Sequence, residues 1–155
     1  MTTYDVIIKK VEPQLIASTR SIIPAYPAQG PLWQTLGTHL QQQKTTPSGA
    51  CFTLYHSDEP EIDAEVCEPL ASTVLANDRI KVYELPGFDT MASVVHHGPF
   101  TTIGDAYQAI VKWIEANGYR SVGPIREIYL QTPQQDGNQS DPNTVTEIQF
   151  PVSRA

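Results

Sequence analysis

Hydrophobic and polar residues alternate with a period of two in eight short segments of the chain. Such alternation predicts β-strands that turn one face towards a core. The predicted strands lie at about residues 4–11, 15–21, 50–56 and 61–67, and again at about 79–85, 90–97, 125–131 and 145–150. The pattern therefore predicts eight antiparallel strands.

Two longer segments carry apolar residues at helical spacing, one in each half of the chain. The first stripe, in a helix predicted at about 32–44, consists of Leu32, Trp33, Leu36 and Leu40, and the second consists of Ile103, Tyr107, Ile110 and Ile114. Thr102 with Asp105 three residues later resembles a capping box at the start of the second helix. Asn117-Gly118 supplies a left-handed stop at its end.

The order of short motifs indicates an internal duplication. Residues 65–70 and 147–152 each hold a glutamate four residues before a proline, and Gly30-Pro31 precedes the first helix as Gly98-Pro99 precedes the second. We therefore predict one α+β domain, residues 1–155, built from pseudo-repeats at about 4–70 and 79–152. Its eight-stranded antiparallel sheet is expected to carry both helices on one face and to leave a ligand groove between the two halves on the other.

Charge and composition narrow the classes of function. The 10 Lys and Arg residues face 17 Asp and Glu residues, and the formal net charge of -7 argues against direct binding of nucleic acid. No segment approaches the roughly 20 apolar residues of a membrane span, and the chain does not start with a leader pattern, so we expect a cytoplasmic protein without a membrane anchor. Cys51 and Cys67 lack Cys-x-x-Cys spacing and are interpreted as ordinary buried thiols.

Glu127 is the residue that best combines charge with aromatic neighbours. On a strand, alternation places it on one face with Ile125, Tyr129 and Gln131, whereas its counterpart in the first half is Thr53. A carboxylate walled by aromatic rings suits a lipophilic cation, because rings add cation–π attraction to charge neutralisation. The same group could act as a general acid or base, or could pair with Arg126 on an exposed sheet face.

The candidate aromatic walls are Trp33, Tyr55, Phe100 and Tyr129. Trp113 and Tyr107 lie on a helix face, where aromatic residues usually serve core packing.

Other polar residues give no second site. Glu65 and Glu147 occur in both halves and are interpreted as architectural. The four histidines have no ligand spacing for a metal, and no phosphate-binding loop or nucleophile motif is present, so we expect neither a metal nor a cofactor. The loop at residues 132–144, rich in Gln, Asp, Asn and Pro, is predicted to be a mobile tip, with a lid as the alternative.

Several short motifs resemble those of the GyrI-like small-molecule-binding family. They lie, in order, at residues 4–9, 55–56, 97–100, 113–119 and 124–129. The family includes effector-binding domains of multidrug-responsive and AraC-type transcription regulators, and proteins similar to the DNA gyrase inhibitor. The resemblance implies a duplicated, SHS2-like fold of βαββ-type units and places the ligand-engaging glutamate at Glu127.

Three classes of function follow from these observations. The first is a stand-alone protein that binds a small lipophilic cation, with or without a separate regulator as partner. The second is a hydrolase of strained electrophilic molecules, in which Glu127 activates water and a tyrosine or tryptophan assists. The third, a modulator of DNA gyrase, needs an exposed surface for that protein partner. We favour the binding protein and leave its ligand and oligomeric state open.

Overall fold

The computed structural model describes residues 3–135 and 137–155 of the chain. Two α-helices and nine strands occur in this described part, and each helix follows a short 3-10 turn, at Tyr26–Gln29 and Phe100–Thr102. In chain order the elements are β1 (Ile7–Val11), β2 (Gln14–Ile23), α1 (Gly30–Gln42), β3 (Phe52–Ser57), β4 (Ile62–Pro69), β5 (Lys81–Leu85), β6 (Phe88–His97), α2 (Ile103–Ala116), β7 (Tyr119–Ser121), β8 (Ile125–Gln131) and β9 (Val145–Arg154). The predicted α+β class, with eight antiparallel strands and two helices, is confirmed.

The chain divides into two compact units. The first unit is Glu12–Gly87, and its antiparallel strands run in the order β5-β2-β4-β3. The second unit combines the chain up to Val11 with Phe88–Ala155, and its antiparallel strands run in the order β1-β6-β9-β8. Equivalent elements therefore occupy equivalent places, since β2 and β4 form the centre of the first sheet as β6 and β9 form the centre of the second.

In the first unit, α1 covers one face of the sheet. Its predicted apolar stripe is confirmed, because Leu32, Leu36 and Leu40 are buried against Ala64 and Val66 of β4. Burial of one such leucine stabilises the fold by about 2 kcal/mol.

In the second unit, α2 covers one face of the sheet in the same way. Ala106, Ile110 and Ile114 pack onto a cluster that includes Val94 of β6 and Ile148 of β9. Even-numbered residues of β9 from Ile148 to Val152 therefore point towards the helix. Residues of β6 and β8 that pair with these residues of β9 therefore lie on the same helix-bearing face.

One local prediction was wrong, and one short strand was not predicted. Thr102 precedes α2, but its side chain caps no backbone N–H of the helix, and its hydroxyl instead donates to the carbonyl of Pro99. A 3-10 turn leads into α2, so Thr102 lacks the extended backbone that a capping box requires. Strand β7 was not predicted because it has only three residues; it pairs with the end of β9. The left-handed stop at Gly118 is confirmed, with φ of 76°.

The loop between β8 and β9 is organised around Asp141. The Asp141 carboxylate accepts hydrogen bonds from the backbone N–H groups of Gln134 and Asn143, at 2.8 and 2.9 Å, and these bonds lower the pKa of Asp141. The loop is also tied to the turn before α2, because the N–H of Thr101 donates to the carbonyl of Gln139. The segment that we predicted as a mobile tip therefore has defined hydrogen bonds in its described residues, and position 136 lies outside them.

Candidate functional site

Glu127 lies on the helix-bearing face of the second unit. It pairs with Ile148 in the sheet, and Ile125 on the same face packs against the core beneath α2. The residue is only 8 % exposed. The interpretation of Glu127 as an exposed surface carboxylate is therefore wrong. The helix-free face, where we expected the ligand groove, is also not the face on which Glu127 lies.

Two tyrosine hydroxyls donate to the Glu127 carboxylate, one to each oxygen. Tyr107 of α2 donates to Oε2, and Tyr129 of β8 donates to Oε1 at 3.1 Å. Carboxylate oxygens accept hydrogen bonds, so both phenols can donate to this group. The two phenols therefore hold the Glu127 carboxyl group in a fixed orientation.

A phenylalanine ring packs against each of the two tyrosines that bond to this carboxylate. The ring of Phe100, in the turn before α2, meets the ring of Tyr129 edge to face, with centroids 5.9 Å apart and planes at 85°. Tyr107 meets Phe150 of β9 in a similar way, with centroids 6.1 Å apart. Edge-to-face pairs are favourable because the positive ring edge faces the negative ring face. The site therefore combines one acid with four rings.

Tyr107 is the site residue that the sequence did not reveal. Its helical spacing predicted core packing, and its ring does pack against the core of the second unit. The ring is long enough that its hydroxyl still reaches the sheet and bonds to Glu127. The sequence offered one indication of this bond, because a tyrosine on a buried helix stripe needs a hydrogen-bond partner for its hydroxyl.

Tyr55 and Trp33 lie in the first unit. Tyr55 is buried in the core beneath α1, and Trp33 of α1 packs against that core. The Tyr55 hydroxyl accepts a hydrogen bond of 2.5 Å from Nε2 of Gln29, and the ring of Tyr26 meets the Tyr55 ring edge to face at 5.3 Å. Among the five predicted site residues, Glu127, Tyr129 and Phe100 therefore lie together in the second unit.

The counterpart of Glu127 in the first unit is uncharged. Thr53 donates its hydroxyl proton to Oε1 of Gln29 at 2.9 Å, and Thr53 is fully buried. A neutral hydroxyl and a neutral amide thus occupy the place that Glu127 and its tyrosine donors occupy in the second unit. The asymmetry predicted from the sequence is present in the side-chain chemistry.

Glu65 and Glu147 are buried on the helix-free faces of their sheets, and each accepts a hydrogen bond from a serine. Ser18 donates to Glu65 at 2.6 Å, and Ser93 donates to Glu147 at 2.6 Å. Burial alone would raise the pKa of Glu65, but hydrogen bonds from His56, Ser18 and Tyr83 lower it to about 2. These shared bonds support the architectural interpretation of both glutamates.

Three histidines have partners that explain their positions. His56 pairs with Glu65 at 2.8 Å, and His39 contacts the carbonyl of Leu75 at 2.5 Å. His96 contacts the hydroxyl of Tyr4 through Nδ1 at 2.9 Å. Within the described residues, no group of three His, Cys, Asp or Glu side chains is placed to hold a metal ion.

Neither helix in the part of the chain that the structure describes is long and apolar enough to cross a membrane.

An α+β domain with a buried carboxylate among aromatic rings has the features of a small-molecule-binding domain. The family model of the GyrI-like small molecule binding domain matches residues 4–153. The chain belongs to this family. A search of curated proteins found no match.

Solved structures with the same fold include the C-terminal domain of EcmrR. That domain is 27% identical, with a TM-score of 0.87, and the alignment covers 99% of this chain and 100% of the domain. The EcmrR chain in a cryo-EM complex with DNA is 28% identical, with a TM-score of 0.86; the alignment covers 98% of this chain and 58% of the EcmrR chain. This chain thus spans little more than half of that relative.

SAV2435, solved with tetraphenylphosphonium bound, is more distant. It is 11% identical, with a TM-score of 0.59, and the alignment covers 96% of this chain and 94% of SAV2435. A hydrolase from Listeria innocua is 15% identical, with a TM-score of 0.65, and the alignment covers 96% of this chain and 91% of the hydrolase. At these identities the two structures share the fold.

Proposed function

We propose that this domain binds a lipophilic cation at Glu127. The observation that carries the proposal is the buried carboxylate held by the hydroxyls of Tyr107 and Tyr129. Burying a charge is costly, and phenol donors stabilise it without neutralising it. A cationic ligand adds the opposite charge in an environment where water screens the attraction poorly.

The rings make the site suitable for a ligand that is also apolar. Phe100 and Tyr129 are both partly exposed, so a bound molecule can contact part of each side chain. A cation within about 6 Å of an aromatic ring gains roughly 0.5–2 kcal/mol. An apolar ligand surface adds about 25 cal/mol for each Å² that is removed from water. Charge and apolar area together favour lipophilic cations over metal ions or neutral hydrocarbons.

We further propose that ligand binding serves a regulatory role. The support is the similarity to the C-terminal domain of EcmrR, a protein that was solved in a complex with DNA. The chain described here corresponds to 58% of that relative, and its own net charge of -7 disfavours direct binding of DNA. Ligand sensing, with any DNA contact made by other protein segments, fits both observations.

A binding assay with tetraphenylphosphonium tests the proposal. This cation and neutral triphenylphosphine oxide are titrated into the wild-type protein, Glu127→Gln and Glu115→Gln, with melting temperature and calorimetric heat as readouts. Glu115 is an exposed glutamate on the same helix as Tyr107 and serves as the matched control. A ligand at 100 times its Kd stabilises the native state by about 2.7 kcal/mol, which raises the melting temperature by roughly 5–10 °C.

We expect the cation, but not the neutral oxide, to stabilise the wild type and Glu115→Gln. Glu127→Gln should bind the cation at least about tenfold more weakly, because it keeps the shape of the side chain and removes the charge. Equal cation affinity in Glu127→Gln and the wild type, with both proteins folded, would show that another group selects the ligand.

A hydrolase is the second candidate function. The observation that favours it is the direct contact of Glu127 with two tyrosine hydroxyls, which places a base beside two proton donors. Incubation with an epoxide-bearing aromatic compound, followed by chromatography, distinguishes the two functions. Product formation that is lost in Glu127→Gln supports the hydrolase, whereas saturable binding without product supports the binding protein.

A further inference from the structure

Two buried hydroxyl groups of the second unit lack a hydrogen-bond partner. Among the described residues, the hydroxyl oxygens of Thr144 and Thr146 are the buried side-chain polar atoms for which no partner is found. Both residues are at most 1 % exposed. A buried hydroxyl without a partner destabilises a fold, and a valine would occupy the same space without that cost. A bound molecule that forms a hydrogen bond with the Thr146 hydroxyl would remove this cost.

The position of Thr146 links this hydroxyl to the proposed ligand site. In the sheet, Thr146 pairs with Tyr129 of β8 on one side and with His96 of β6 on the other. The next pair on the same face is Ile148 with Glu127. Directly opposite residues have Cβ atoms about 4.5–5.5 Å apart, so Thr146 lies beside Tyr129 and one residue pair from Glu127.

The two side chains that flank Thr146 already have other hydrogen bonds. Tyr129 donates its hydroxyl proton to Glu127. His96 uses Nδ1 for Tyr4 and Nε2 for the carbonyl of Pro99, at 2.9 and 3.1 Å. A small molecule that enters the site is therefore the partner best placed to use the Thr146 hydroxyl.

A ligand bound at Glu127 reaches the buried Thr146 hydroxyl only past the side chain of Tyr129. A cationic ligand competes for the same carboxylate oxygen that holds the Tyr129 hydroxyl. The Tyr129 ring, which is partly exposed and also packs against Phe100, lies between the ligand and its cross-strand neighbour Thr146, so the ligand has to displace this ring. The Thr146 hydroxyl reached in this way can donate to or accept from the ligand.

We propose that Thr146 forms a hydrogen-bonding subsite beside Glu127, and that the ligand is a lipophilic cation carrying a hydroxyl or carbonyl group close to its charged centre. This inference rests on the proposed function, because it assumes that the charge is bound at Glu127. It adds a polar requirement that a purely hydrocarbon cation does not meet. The subsite would select among cations by one hydrogen bond.

The test compares tetraphenylphosphonium with its 3-hydroxyphenyl and 4-hydroxyphenyl analogues, which differ from it by one hydroxyl group. Isothermal titration calorimetry gives the ratio of Kd values for each pair in the wild type, Thr146→Val, Thr146→Ser and Thr38→Val. Thr38 is an exposed threonine of α1 and serves as the control. One hydrogen bond corresponds to roughly a 2- to 12-fold difference in affinity.

In the wild type and Thr38→Val, we expect at least one hydroxylated cation to bind about fivefold more tightly than tetraphenylphosphonium. The ratio should fall to about one in Thr146→Val and should return in Thr146→Ser, which keeps the hydroxyl. A preference that persists in Thr146→Val, or no preference in the wild type, overturns the subsite while leaving cation binding at Glu127 intact. Failure of every phosphonium to bind overturns both proposals.

Discussion

Two glutamates of β4, three residues apart, should change the stability of the protein with pH in opposite directions. Glu65 is buried and bonded to three donors, which lower its pKa from 4.5 to about 2. Glu68 is only partly buried, and burial raises its pKa from 4.5 to about 7. The substitutions Glu65→Gln and Glu68→Gln keep the shape of each side chain and remove its titration.

The expected magnitudes follow from the linkage between proton binding and folding. Each pKa unit corresponds to about 1.4 kcal/mol, so ionised Glu65 contributes up to about 3 kcal/mol to the free energy of unfolding. That contribution is complete above the unfolded pKa of 4.5 and is lost as the pH falls through 4.5 towards 2. By pH 3.5, about 1.4 kcal/mol of it should be gone.

The ionised form of Glu68 destabilises the fold, in contrast to that of Glu65. Its folded pKa lies above its unfolded pKa, so the folded state holds the proton more tightly, and stability increases as the pH falls from 7 to 4.5. Removing this carboxyl group should stabilise the protein at pH 8 by about 1–2 kcal/mol, a value reduced for the solvent that reaches a partly buried group. The gain should disappear near pH 4.5.

Urea unfolding of the wild type and both variants at pH 8, 6, 5, 4 and 3.5 measures these effects. The difference in unfolding free energy between the wild type and Glu65→Gln should be about 3 kcal/mol at pH 8 and should narrow by about 1.4 kcal/mol at pH 3.5. A difference that stays constant or widens as the pH falls would refute the hydrogen-bonded, ionised state of Glu65. A loss of stability at pH 8 in Glu68→Gln would refute the desolvation argument.

Three further outcomes can be measured with single substitutions. Tyr107→Phe should lower the unfolding free energy by about 1.5 kcal/mol, and a double-mutant cycle with Glu127→Gln should give a coupling of at least about 1 kcal/mol, because the two residues share one hydrogen bond. Thr146→Val should raise the melting temperature of the ligand-free protein by about 2–4 °C, since it removes a buried hydroxyl without a partner. Cys51, whose pKa is raised to about 11 by burial, should react with an aromatic disulfide at pH 7.5 at least tenfold more slowly than in unfolded protein; an equal rate would contradict the burial of its thiol.

The sequence was sufficient to predict elements whose residues repeat with a regular period. The stripe of Leu32, Leu36 and Leu40 predicted α1, and alternation predicted β8 at its observed bounds of Ile125–Gln131. Periodicity reports which residues share a face, so it also placed Glu127 beside Tyr129. It does not report which face a helix will cover, because that depends on how strands are paired across the sheet.

Features that depend on distant parts of the chain were not predictable in this way. Tyr107 and Glu127 are 20 positions apart and meet only once α2 packs onto the sheet. The bonds that Asp141 makes within its loop carry no periodic signal, and the three residues of β7 are too few to show alternation. The unpartnered hydroxyl of Thr146 is visible only when burial and hydrogen bonds are both known.

The two units differ in which of their buried polar residues have an equivalent in the other unit. Glu65 and Glu147 occupy equivalent strands, and each binds a serine on the helix-free face, so a carboxylate there is compatible with both units. Glu127 has Thr53 as its counterpart, and Thr53 satisfies its hydrogen bonds with the neutral Gln29. A unit with the same strand order therefore forms without a charge at this place. The carboxyl group of Glu127 is therefore not required by the fold, and its burial among the tyrosines of the second unit is the reason for which we propose a function at this place.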